Sequence, residues 1–131
     1  PSNWWSAELG KTLPATMYVA AQQWLHHWSR RTSSFWNDFD LLLTPVLGSL
    51  TPTIGLLSNP KTGQQQLREL IGFVDQANVT GQPAISVPVG EHEGLPIGVQ
   101  VIAARGHDTL LLQIAQQLEN SEAFTTLSNE L

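Results

Sequence analysis

Glu91, His92 and Glu93 are the one place in this chain where two carboxylates and an imidazole stand side by side. Such a trio could contribute ligands to a divalent cation. A metal would need further ligands, and the other histidines lie in distant segments at no diagnostic spacing. Gly90, Gly94 and Pro96 surround the cluster, so it reads as a water-facing connection. His26 and His27 are neighbours, about 100° apart if helical, and cannot share a metal from one face. Ser86 lies between Ile85 and Val87 without the Gly-x-Ser-x-Gly elbow that exposes a nucleophile, and reads as a strand serine paired to a neighbour. A lysine works as a base only where its surroundings lower its pKa, and Lys11 and Lys61 both sit in polar, turn-like contexts. Asn78 could be an oxyanion donor, but a side-chain amide bonding the local backbone through a turn is the better account. The chain has no cysteine, which excludes thiolate chemistry, disulfides and Cys-ligated zinc. It has no phosphate-cradling glycine loop, and no metal or organic cofactor is expected.

The elements that would position these groups are legible in the hydrophobic pattern. Ile85–Val89 and Ile97–Ile102 are β-branched runs of strand length, joined by Gly90–Pro96. That link is too short for a helical crossover, so the two strands are expected to pair antiparallel. Pro88 cannot donate to a ladder and is expected at an edge or a bulge. Asp40–Pro45, DLLLTP, fits a strand buried on both faces. Pro14 opens a long helix running to about Asn37, with an interruption possible at Thr32-Ser33-Ser34 and a Trp24–Trp28 stripe for core or interface packing. Ahead of it, Trp4 and Trp5 stand in a polar lead-in, either packing on the domain edge or meeting a preceding segment. Val46–Pro60 reads as a long loop. Gly63–Ala77 reads as one amphipathic helix, with Leu67, Leu70, Ile71 and Val74 on its apolar face and Asn78 and Gly81 turning the chain out of it. Asp108 is expected to cap a last helix ending near Glu119. Residues 120–131 are expected to fray, with Phe124 as a pin.

With 131 residues, one domain is the natural count, and charged residues make up only 13% of the chain, about half the usual share. So bare a surface is expected to meet a partner. The net charge is -5 and no basic cluster exceeds Arg30-Arg31, which argues against nucleic acid. No apolar run approaches the ~20 residues that span a bilayer, so no membrane partner is expected. The N-terminal residues resemble no signal peptide, which leaves a cytoplasmic location as the default, and they lack an initiator Met, as a cut piece of a longer protein would.

Four segments, in order, resemble the C-terminal part of an amidase signature enzyme. They are Phe39–Pro45, then Asn78–Pro88, then Gly94–Gln100, and then Asp108-Thr109-Leu110-Leu111-Leu112. The resemblance covers most of the chain and implies carboxamide C–N bond hydrolysis by a Ser nucleophile, a second Ser in a cis peptide bond and a Lys proton shuttle. No Gly-Gly-Ser-Ser run occurs here, so no catalytic residue carries over onto these positions.

What the resemblance does imply is a supporting role, with the loop after Thr44-Pro45 near the substrate side. The fold expected is α/β: a small mixed sheet of about three to four strands flanked by three helices, making residues 1–131 one partial domain. The segment before the Asn-x-Thr-Gly motif would wall the acyl side of the substrate pocket through Ile71, Phe73, Val74 and Asp75. The subfamily that amidates glutamate on transfer RNA is expected to place an acid near Ile71, so the aliphatic side chain argues for a neutral or apolar amide. The partners implied are a small-molecule amide and the N-terminal catalytic part of the same enzyme. Unpaired strand edges would make the isolated piece a homo-oligomer. The alternative is a free-standing, non-catalytic module that binds a protein through its Trp-rich helix.

Overall fold

The computed structural model describes residues 2–121, with side chains from Ser6 onward. Three strands, β1 (Leu41–Pro45), β2 (Ala84–His92) and β3 (Leu95–Ala103), form one sheet in the order β1-β3-β2. Both pairings are antiparallel, so a short α/β unit is present and no parallel pair occurs among the described residues. Five helices accompany the sheet where the pattern suggests three: α1 (Ser2–Thr12), α2 (Ala15–Thr32), α3 (Gly63–Ile71), α4 (Asp75–Thr80) and α5 (Asp108–Glu119).

The β2–β3 hairpin follows the expectation and tightens it. The Gly90–Pro96 link is mostly strand, and only Glu93 and Gly94 turn, at φ 53° and 76°. Two residues of positive φ match the right-handed twist of the flanking strands. Pro88 lies on an edge strand, and the register slips between Pro88 and Gly90, leaving Val89 as a bulge. Side chains then alternate across the sheet. One face gives Val101 and Ala103, which pack with Leu111 of α5 and gather Leu41, Ile85 and Val99 around them.

Elsewhere the chain departs from its local pattern. The polar lead-in is helical: α1 runs from Ser2 to Thr12, with Lys11 paired to Glu8 at 2.6 Å. The long helix stops at Thr32 and continues as a 3-10 turn over Ser33–Asn37, where the expected interruption lay. The strand Leu41–Pro45 is not buried on both faces. It is a sheet edge, and Leu43 is 61% exposed. Asp108 is the first residue of α5 and His107 holds the N-cap position, with no side-chain cap bond, so Asp108 complements the helix dipole from the first turn instead. Asn78 sits inside α4, and Gly81 alone supplies the left-handed exit, at φ 67°. The expected fraying of 120–131 and the Phe124 pin lie, beyond Ser121, outside the described residues.

The fully buried set is small: Leu70, Val87, Val101, Ile102, Ala103 and Leu111 among the apolar residues. The chain exposes 9763 Å², against about 6,800 Å² for a compact monomer of its mass. No described helix is long and apolar enough to cross a membrane.

Gly48 locks the loop after β1 onto α3. Its N–H donates to the Leu70 carbonyl at 2.8 Å, and a Cβ there would stand 2.0 Å from the Glu69 carbonyl oxygen. Gly10, in α1, has open space at the same distance. In thermal melts Gly48→Ala is expected to destabilise by about 1–3 kcal/mol, while Gly10→Ala is neutral or stabilises by up to about 1 kcal/mol.

Candidate functional site

The sheet face away from α5 carries the polar residues. Thr44, Gln100 and Ser86 stand in one row across β1, β3 and β2. Gln100 is buried, and its Nε2 donates to Thr44 Oγ1 at 3.1 Å and to the Phe73 carbonyl at 3.0 Å. Those two acceptors lie 56 and 27 residues away in sequence. A buried amide must find such partners or forfeit its hydration. It therefore ties the segment after α3 to the middle of the sheet.

That tie explains a break in the helical pattern. Gly63–Ala77 is two helices, α3 and α4, separated by a turn at Gly72, Phe73 and Val74. The Phe73 carbonyl serves Gln100 instead of a helical N–H further along, while Gly72 keeps right-handed helical angles, φ -56° and ψ -24°, at the end of α3. The four residues expected to wall a pocket all fall at this turn. Ile71 ends α3 and is half-buried, Phe73 lies in the turn and is exposed, Val74 is the N-cap of α4, and Asp75 is its exposed first residue. A second tie holds the far end of α4, where Arg105 Nε donates to the Thr80 carbonyl beside Gly81.

Two residues along β3 from Gln100, about 7 Å away on the same face, Gly98 lies at the lining of a cavity of about 470 Å³. Pro45, Val46, Leu50, Ser86, Pro88 and Ile97 are among its walls. A Cβ on Gly98 would stand 3.0 Å from Val46 Cγ2 and 3.1 Å from Ser86 Oγ, so the missing side chain keeps that lining open. The size suits a small molecule and the lining is mainly apolar, with hydroxyls at Ser49, Thr51 and Ser86. Ile71, Phe73, Val74 and Asp75 are not among the lining residues. The wall segment and the cavity are neighbours along one sheet face, not one enclosure.

The side chains with reactive groups are kept apart. Ser86 and His92 both touch the cavity, yet six residues of one strand separate them, about 20 Å end to end. A general base must come within hydrogen-bond reach of the hydroxyl it activates. Glu91, His92 and Glu93 lie at the exposed end of the hairpin, and no group of three metal-ligating side chains forms among the described residues. His26 and His27 are exposed on α2, Lys11 is engaged with Glu8, and Lys61 is exposed.

Sequence reasoning missed Gln100, and of the cavity it had only the expected substrate-side loop, from which Val46, Leu47, Ser49, Leu50 and Thr51 line it. The one available signal was Gln100 itself, a lone amide inside the apolar run Ile97–Ile102. Gln100→Leu is expected to leave the Phe73 carbonyl and Thr44 hydroxyl without their donor, at a cost of about 1–3 kcal/mol. In hydrogen exchange, protection should fall most at residues 72–76, while the α5 side of the sheet changes little.

Comparison with known proteins gives this geometry a context. A family model described as Amidase matches residues 3–112. The 6-aminohexanoate-cyclic-dimer hydrolase of Paenarthrobacter ureafaciens is 33% identical over 131 residues, covering 92% of this chain and 27% of that protein. A solved structure of 6-aminohexanoate cyclic dimer hydrolase with substrate superimposes at TM-score 0.77 and 34% identity, over 88% of this chain and 26% of that one. A glutamyl-tRNA(Gln) amidotransferase subunit of Thermotoga maritima matches at TM-score 0.67 and 31% identity, over 92% of this chain and 27% of that one. The chain thus spans about a quarter of the length of the relatives it matches.

Proposed function

The chain belongs to the amidase family, and we propose that it is the part of such an enzyme that completes the sheet and shapes the substrate pocket without contributing the nucleophile. The observation that carries this reading is the coverage: the match is nearly the whole of this chain but only 27% of the relative. The catalytic serines and the lysine shuttle then belong to the preceding part of the enzyme, and the reaction is hydrolysis of a carboxamide C–N bond. In this reading Ile71, Phe73, Val74 and Asp75 wall the acyl side. The turn that carries them is held against the sheet by Gln100, so pocket shape is linked to a buried hydrogen bond instead of to a mobile loop.

The side chains at this wall favour a neutral amide. Ile71 offers no charge to a charged substrate end, and the cavity next to the wall is mainly apolar. Asp75, the one charged residue of this wall, is exposed at the start of α4. A second reading, a non-catalytic interaction module, draws on α2, which buries none of its 18 residues and leaves Met17, Tyr18 and Trp24 open. The coding sequence upstream separates the two. An in-frame Gly/Ser-rich segment with a Lys ahead of it supports the enzyme, and a start codon at this boundary supports the module.

The purified 131-residue chain is expected to show no turnover of simple amides or anilides above a mock preparation. A hydrolysis rate that scales with the amount of this chain would overturn the reading.

A further inference from the structure

The loop after β1 is pinned to α3 at two places. Near the end of the helix, Gly48 lies against the backbone of Glu69 and Leu70. At its start, a Cβ on Gly63 would collide with the Leu57 carbonyl, so the missing side chain lets the 3-10 turn Leu56–Ser58 come close. Between these pins the loop and the helix leave a second hollow, of about 220 Å³. It shares Ser49 and Leu50 with the cavity over Gly98, and none of Ile71, Phe73, Val74 and Asp75 lines it.

The polar part of this lining is rich in acceptors. Gln66 and Glu69 both line the hollow and stand three residues apart, on one side of α3. Gln66 Oε1 is buried and has no hydrogen-bond partner among the described residues. A buried carbonyl oxygen without a donor forfeits its hydration, so this one calls for a donor. Glu69 adds a carboxylate: its Oε1 accepts from Gln65 Nε2 at 2.9 Å, and further lone pairs remain. Ser49 Oγ donates its single hydrogen to the Leu50 carbonyl at 3.3 Å, which leaves lone pairs to offer a ligand. No lysine or arginine is among the lining residues, and the rest of the wall is leucine and Pro52.

We propose that the hollow between α3 and the loop after β1 binds a small aliphatic primary amine in its protonated form. An ammonium group brings three hydrogens and no acceptor, which matches an orphaned carbonyl oxygen, a carboxylate and a hydroxyl whose hydrogen is committed. The short alkyl tail lies on the leucines. A carboxylate ligand would meet a like charge and acceptors with nothing to give them. An alcohol could satisfy Gln66 but leaves the charge of Glu69 unanswered. The site goes beyond the amidase reading and does not depend on which bond the larger enzyme cuts.

The test titrates the isotope-labelled chain with n-butylamine near neutral pH, where the amine is protonated, and follows the backbone amide NMR shifts. n-Butanol and butyrate carry the same kind of tail and serve as comparisons. Saturable shifts are expected at Ser49, Leu50, Gln66 and Glu69 with butylamine, weaker ones with butanol, and none with butyrate. Gln66→Leu removes the orphaned acceptor and Glu69→Gln the charge, and each is expected to weaken butylamine binding about tenfold or more. Glu69 is exposed and Gln has its shape, so that variant keeps its fold even where Gln66→Leu does not. Glu119→Gln removes an equal charge from the exposed end of α5 and is expected to change nothing, which separates the site from general attraction to a chain of net charge -5. An equal response to butyrate, shifts that never saturate, or binding that Glu69→Gln leaves intact overturns the proposal. None of these readouts involves turnover, so their failure leaves the amidase reading where it stands.

Discussion

The side-chain amide of Gln100 is the constraint on which the candidate site depends. It sits in the middle strand of a three-stranded sheet, where water cannot reach it, so its donors must be satisfied from within the chain. The edge strand β1 supplies one acceptor through Thr44, and the α3–α4 turn supplies the other through the Phe73 backbone. Three segments far apart in sequence are thereby fixed to one point. The turn between α3 and α4, which carries Ile71 through Asp75, is held by that bond, and the cavity over Gly98 opens immediately beside it. Net hydrogen-bond energies are modest. The gain lies in geometry, because an amide with two fixed acceptors allows one arrangement of the turn.

The apolar inventory fits the reading of this arrangement as part of something larger. Among the described residues six apolar side chains are buried, and three of them, Val101, Ala103 and Leu111, form the cluster where α5 meets the sheet. Burying a Val or Leu side chain contributes about 1.5–3 kcal/mol, so a core of this size offsets only part of the entropy of ordering so long a chain. Meanwhile Met17, Tyr18, Trp24, Phe39, Leu43 and Ile54 remain open. The matched family members are about four times as long, and in the proposed reading the missing stabilisation comes from surface shared with the rest of such an enzyme.

Much of this was legible in the sequence, and the failures have physical causes. The β2–β3 hairpin could be read because Val and Ile runs flank a short Gly-containing link, so strand identity and direction are both local facts. The exit at Gly81 could be read for the same reason. The break at Gly72–Val74 could not, because helical periodicity continues through Val74 and the partner that takes up the Phe73 carbonyl is Gln100, 27 residues downstream. The burial of β1 was misjudged because an apolar run reports what a strand is suited to meet, not whether that neighbour is present. Asp108 looked like a cap because cap and first-turn positions favour the same residue type and differ by one place. The cavity draws its walls from three separate segments, and no single stretch of sequence describes it.

The central claim is that these residues support a site whose reactive groups lie elsewhere in the polypeptide. A reactive fluorophosphonate, incubated with the purified chain and followed by intact-mass and peptide mass spectrometry, addresses it most directly. An activated serine takes the phosphonyl group and an ordinary hydroxyl does not. The expected result is an unmodified mass, with Ser86 and every other serine free of adduct. A stoichiometric adduct on any one serine would contradict the account, because it would place the nucleophile in this part of the fold.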